Sequence, residues 1–189
     1  MINKSLTLKA ASVLQEIEEL SHKIFLPIIG PVKGEFLVET VRKYKVKKIL
    51  EIGTLIGYSA ILMAGNLVSE GQIYTIEINP HSAEIARGNV SRAGLSDKIK
   101  IFIGDALEII PTLDEEFDMA FIDAEKSEYY QYLKLIEPKL GKNGIVFADN
   151  VKIFAHQMPD YLSHVRNSGK YASHYYDAGF DGVEVSLKL

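Results

Sequence analysis

Residues 47–68 read KKILEIGTLIGYSAILMAGNLV, and three patterns succeed one another within them. KKILEI (47–52) is a short, almost wholly apolar run, as in a strand covered on both faces. Gly53 and Gly57 punctuate a turn, and YSAILMAGNLV returns to helical spacing. Strand, glycine turn and helix in that order form the unit of a parallel α/β sheet.

The alternation continues outward. Strand-like runs occur at GQIYTIEI (71–78), KIKIFI (98–103), FDMAFID (117–123) and GIVFAD (144–149). Between them lie helical patterns, HSAEIARGNVSRAG, ALEIIPTL and YYQYLKLIEPKL, with Pro80 suited to a first helical turn and Gly94 to a helix end. Ahead of the first strand, SLTLKAASVLQEIEELSHKI and GEFLVETVRKY read as two helices. The tail departs from the pattern: YASHYYD and GVEVSLKL flank AGFD and read as an antiparallel hairpin at one sheet edge. The expected fold is α/β, a Rossmann-like doubly wound sheet of order 3-2-1-4-5-7-6 with an antiparallel C-terminal hairpin. It forms a single domain over 1–189, with N-terminal helices in 1–45 and the core in 46–189. Leu6, Val13, Leu14, Ile17 and Leu20 along the first helix can pack on their own domain or on a partner's.

Bulk properties narrow the function. At 189 residues, 47% hydrophobic and 24% charged, the chain suits one globular domain and not a disordered one. No apolar run reaches the ~20 residues of a spanning helix, and the first twenty residues lack a signal-peptide pattern. With no cysteine, thiolate chemistry and disulfides are excluded. A cytoplasmic protein without membrane contact is expected. The net charge of −4 argues against a polyanion as main partner. The basic run RKYKVKK (42–48) precedes the first strand, at the sheet edge opposite the one where such folds bind ligands, and reads as a solvated face.

At that ligand edge, EIGTLIGYS lacks the full dinucleotide fingerprint: Leu55 and Tyr58 stand where its second and third glycines fall. Glu77 closes the second strand, where a carboxylate accepts from both ribose hydroxyls. The combination suggests an adenosine without a pyrophosphate. A plain strand-to-helix turn explains the two glycines when taken alone. GDALEIIP sets Asp105 and Ala106 where an adenine edge can lie.

The fourth and fifth strands are expected to be neighbours roughly 4.8 Å apart, so Asp123 and Asp149 leave adjacent strand ends with Asn150 beside them. Paired carboxylates repel unless a cation joins them, and oxygen donors without His or Cys suit a hard ion such as magnesium. Taken singly, each reads as a turn or helix cap. Lys126 singly reads as a surface lysine; beside a dication, its neutral amine can accept a proton.

These segments resemble the cation-dependent O-methyltransferases that include the catechol and caffeoyl-CoA enzymes. EIGTLIGYSA, TIEINP, GDALEIIP, FIDAEK, ADNV, PDYLSHVR and DGVE fall in that family's order between about Phe25 and Glu184. The resemblance implies S-adenosylmethionine held by Ile29, Glu51, Gly53, Ser59, Glu77, Ile78, Asp105 and Ala106, with Asp123 near its methionine part. It implies Mg2+ or another divalent cation on Asp123, Asp149 and Asn150, and Lys126 as general base. Lys126, Asn150 and Glu184 are implied to meet the acceptor, and a homodimer is implied. The chain departs from the catechol enzymes in having no tryptophan. Phe25 and Glu125 stand at matching positions, with Phe154 and Val183 expected to complete the rim. The acceptor expected is a small molecule with vicinal hydroxyls. A hydroxyuridine in transfer RNA is the alternative, thinly supported by Lys152 and Arg166, and a non-catalytic nucleoside-binding regulator is a second.

Overall fold

In the computed structural model, which describes residues 6–189, strand β1 (Lys48–Ile52) lies at the centre of one seven-stranded sheet. It pairs in parallel with β2 (Gln72–Glu77) on one side and β4 (Phe117–Ile122) on the other. β3 (Ile99–Ile103) extends the sheet beyond β2, and β5 (Leu140–Ala148) extends it beyond β4, both still parallel. The hairpin β6 (Tyr171–Asp177) and β7 (Gly182–Lys188) completes the order β3-β2-β1-β4-β5-β7-β6, with β7 antiparallel to β5. This is the order the sequence pattern leads one to expect.

Two layers of helices cover the sheet, because its inner strands are apolar on both faces. On one face pack α1 (Leu8–Ser21), α2 (Gly30–Lys43), α3 (Tyr58–Ala64) and α4 (Pro80–Ala93). On the other pack α5 (Ala106–Ile109), α6 (Tyr129–Ile136) and α7 (Pro159–Asn167). Val13, Leu14 and Ile17 of α1 are buried in this chain's own core. Among the described residues no helix is long and apolar enough to cross a membrane.

Local chemistry sets the boundaries. Thr7 caps α1 by accepting from the Ala10 N–H at 3.2 Å, and Asn79 caps α4 ahead of Pro80. α4 ends on Gly94 at φ +71°. The helix read from ALEIIPTL is cut to one turn plus a 3₁₀ turn at 110–112, since Pro111 offers no N–H to continue the α-helical bonding. β5 begins earlier than GIVFAD implies. Its register against β4 jumps from Phe117↔Leu140 to Met119↔Ile145, an irregularity that absorbs the glycines of LGKNG.

Gly53 shows why a glycine stands directly after β1. Its φ is +96°, and an added Cβ would lie 2.1 Å from the Asp123 carbonyl oxygen. The close approach that demands glycine here is to the chain's own backbone. Gly53→Ala is therefore expected to destabilise the protein by at least ~3 kcal/mol, from clash and left-handed backbone together. Denaturant unfolding checks this, and a parent-like midpoint would remove the argument.

Candidate active site

The C-terminal ends of β1 to β5 open into a cavity of about 870 Å³. Glu77, Ile78, Asp105 and Ala106 line one end of it. Ile29, Gly53, Ser59 and Asp123 line its middle, and Lys126, Asp149 and Asn150 the other end. Glu51 stands behind this wall, fully buried and joined to it through Ser59. Phe25 and Glu125 lie at the mouth with Phe154 inside it, and Phe25 is 92% exposed.

At the first end, Glu77 is held by backbone donors. Its Oε2 accepts from the Leu55 N–H at 2.7 Å and its Oε1 from the Asn79 N–H at 2.9 Å. Leu55 has φ +49°, so it adopts the left-handed turn conformation usual for glycine, and Glu77 secures it. Asp105 caps α5 through the Leu107 N–H at 2.8 Å, which fixes the Asp105–Ala106 turn against the cavity.

Glu51 carries the clearest sign of a missing partner. Ser59 donates to its Oε1 at 2.5 Å, whereas Oε2 makes no hydrogen bond among the described residues. The nearby Thr75 hydroxyl is bonded to that of Thr54. Burial, only partly countered by the Ser59 and Thr75 hydroxyls, pushes Glu51 up to about 7. A carboxylate so placed suits a ligand bearing a cationic group. The lining points the same way, with Glu77, Asp105, Asp123, Glu125, Glu128 and Asp149 facing Lys33 and Lys126. An excess of carboxylates repels a pyrophosphate and accepts a zwitterionic or sulfonium ligand. The residues present therefore fit S-adenosylmethionine, which carries both an ammonium and a sulfonium.

At the other end, Asp149 is 1% exposed, and burial together with the Asp123 charge pushes its pKa up. Lys126 Nζ donates to Asp123 Oδ1 at 2.8 Å and to the Tyr129 hydroxyl at 3.1 Å; that hydroxyl in turn donates to the Asp149 carbonyl at 3.2 Å. Burial holds the Tyr129 phenol well above its ordinary pKa, so it stays a neutral link between Lys126 and the end of β5. Asn150 sits at φ +60°, a conformation asparagine tolerates, which turns the chain sharply after Asp149. Among the described residues no three His, Cys, Asp or Glu side chains converge as a metal cage. The oxygen donors Asp123, Asp149 and Asn150 nevertheless fit a hard dication in kind. The structure also seats a cationic group against Asp149: the Lys33 ammonium lies 2.6 Å from Oδ1 and 2.7 Å from Oδ2.

Two sequence expectations require correction. Glu184 does not line the cavity; it is 1% exposed and takes a fork from Arg166, Nε to Oε1 at 3.0 Å and Nη2 to Oε2 at 2.7 Å. Its register partner on β5 is Ala148, and alternation along β7 sends its side chain to the face covered by α7. The carboxylate of DGVE that reaches the site is Asp181, which accepts from Lys33 Nζ at 2.9 Å and from Asn150 Nδ2 at 2.6 Å. Val183 is fully buried in the core, so it forms no part of the rim. Lys33, Asp181 and Tyr129 were not singled out from sequence. DGVE did contain a local signal for Asp181, whereas Lys33 in GPVKGEF looks like any helix-surface lysine.

The family model described as O-methyltransferase matches residues 4–160. The chain is 40% identical to the catechol O-methyltransferase of Niastella koreensis over 127 residues, 65% of this chain and 58% of that one. It is 34% identical to catechol O-methyltransferase of Mus musculus over 182 residues, 92% of this chain and 68% of that one. The structure superposes on the O-methyltransferase of Bacillus cereus, solved in complex with SAH, with a TM-score of 0.85 at 27% identity, covering 94% of this chain and 91% of that one.

Two outcomes follow from the buried carboxylates. Folding raises Glu51 from 4.5 to about 7, so the stability that its neutral form contributes is complete below the lower value and lost as pH rises through the upper. In the ligand-free protein Glu51→Gln is expected to remove on the order of 2–3 kcal/mol of that decline between about pH 5 and about pH 8. Denaturant titrations across that range check it, and equal slopes would refute it. Arg166→Ala strands a buried carboxylate and is expected to cost about 3 kcal/mol, against about 1–2 kcal/mol for Glu184→Gln. Neither change is expected to alter ligand affinity in the cavity, measured by calorimetry.

Proposed function

The chain belongs to the O-methyltransferase family, and from that premise we propose that it transfers the methyl group of S-adenosylmethionine to one hydroxyl of a small vicinal diol, with a divalent cation. The observation that carries this reading is the joining, in one cavity, of a nucleoside-type end at Glu77 and Asp105 with an oxygen-donor end at Asp123, Asp149 and Asn150. Lys126 lies at the oxygen-donor end, donating to Asp123.

Residue by residue the roles are these. Glu77, its carboxylate already oriented by two backbone N–H groups, accepts from the ribose hydroxyls through its remaining lone pairs. Glu51 and Ser59 receive the α-ammonium. Asp123, Asp149 and Asn150 would hold Mg2+ or a similar ion, which would supply the positive charge that favours ionisation of a nearby hydroxyl. Lys126 is the base placed to take the hydroxyl proton, and the Tyr129 hydroxyl holds it in place. The acceptor oxygen then bonds to the methyl carbon, the carbon–sulfur bond breaks with its electrons going to sulfur, and neutral S-adenosylhomocysteine leaves. Binding donor and acceptor in one cavity would supply the proximity contribution.

The mouth favours a small acceptor over transfer RNA. Glu125 and Glu128 line it and repel phosphates, while Lys152 is engaged with Asp177 and Arg166 with Glu184.

Incubation with S-adenosylmethionine and 3,4-dihydroxybenzoate is expected to yield S-adenosylhomocysteine with magnesium and none with chelator. Lys126→Met is expected to lower kcat by about 10²–10⁴-fold with cofactor affinity kept. Absence of turnover both with magnesium and with chelator would overturn the small-diol reading.

A further inference from the structure

Lys33 lies in the first turn of α2, which begins at Gly30. A cation is disfavoured there, because the helix N-terminus carries partial positive charge. The lysine is nonetheless turned inward: its side chain is 14% exposed, and its ammonium straddles both Asp149 oxygens at 2.6 and 2.7 Å. It also reaches Asp181 Oδ2 at 2.9 Å. Asp181 is itself fixed, accepting from Asn150 Nδ2 at 2.6 Å and from the Ile153 N–H at 3.3 Å. The ammonium thus has two carboxylate receptors, one among the proposed metal donors and one outside them.

Asp149 and Asp181 share the Lys33 ammonium, and the Lys126 ammonium separately meets Asp123. With Lys33 on Asp149, both oxygens of that carboxylate are engaged by a positive charge, and a dication approaching it meets like charge. With Lys33 on Asp181 alone, Asp149 is released and the ammonium keeps a partner. A four-carbon stem allows such a shift without backbone movement.

We infer that Lys33 is a tethered internal cation, which holds Asp149 while no metal is bound and yields it to an incoming dication by retaining only Asp181. The inference rests on the metal-dependent reading above and adds to it a positioning residue that competes with the ion. It keeps two buried carboxylates compensated in the metal-free protein and sets how tightly the metal binds.

The test is Mn2+ binding to the full chain, read by the paramagnetic resonance of free ion, together with melting in chelator and in Mg2+. Lys33→Met is expected to bind Mn2+ about 5–150-fold more tightly, the span of ordinary coupling between two sites. It is also expected to melt lower than the parent in chelator and to gain more on adding Mg2+. Lys33→Arg keeps the charge but grips Asp149 through a planar fork, and is expected to bind Mn2+ more weakly than the parent. Asp149→Asn is expected to abolish binding. If Asp149→Asn abolishes binding while both Lys33 variants bind as the parent does, the metal reading stands and the tethered-cation inference falls. If the parent binds no Mn2+, both fall. Should Lys33→Met fail to fold, Lys33→Arg decides: weaker binding supports the inference, and equal or tighter binding overturns it.

Discussion

The Asp123 N–H donates to the Ile52 carbonyl at 2.9 Å and the Asp149 N–H to the Ile122 carbonyl at 3.0 Å, so the parallel ladder runs one residue past the end of each strand. The Gly53 N–H donates likewise to Ile76 at 3.0 Å. Gly53, Asp123 and Asp149 are thereby set side by side along the sheet edge, at the spacing of the strands themselves. Buried backbone groups must be paired, and here their pairing brings the two aspartates together. The left-handed turn at Asn150 and the glycine at position 53 are consequences: one chain must leave the edge at once, and the other must clear the Asp123 carbonyl.

Charge at this edge is crowded, and the protein manages it with one local partner, Lys126, and one drawn from a distant part of the chain, Lys33. Asp149 is met by Lys33, Asp123 by Lys126, and Asp181 by Lys33 and Asn150. Burial alone would lower the Lys33 pKa, but the Asp149 and Asp181 carboxylates more than offset it, so the ammonium stays charged. Burial raises the pKa of Asp149 and of Glu51 alike. They differ in that Asp149 has the Lys33 ammonium beside it, whereas Glu51 accepts from the Ser59 hydroxyl and its Oε2 makes no hydrogen bond among the described residues. One carboxylate thus has a cation of the protein beside it, and the other is held by the Ser59 hydroxyl.

The chain's own pattern of strands and helices set the parallel sheet, its terminal hairpin and much of the wall of the cavity. The apolar runs are short and continuous, their alternation with helical patterns leaves few topologies, and ligands of such sheets sit at the C-terminal edge. Glu77, Asp123 and Asp149 were therefore legible from their positions at strand ends, whereas Lys126 was legible through the family resemblance and Asp105 only weakly from its place after the third strand. Pro111 was passed over in reading ALEIIPTL as one helix, although its missing N–H already marked the stop that leaves α5 one turn long.

Tertiary structure alone decided which side chains meet across the edge. Lys33 is 116 residues from Asp149 and 148 from Asp181, and nothing local distinguishes a lysine in a first helical turn from one facing water. The choice between Asp181 and Glu184 within DGVE was likewise not local. It follows from the register of β7 on β5, where Ala148 faces Glu184 and the alternation turns that carboxylate toward Arg166. A shift of one residue would reverse the face of every side chain on the strand. Periodicity along the chain specifies the elements and their ends; register and long-range charge pairing, which appear only when the sheet closes, specify the partners.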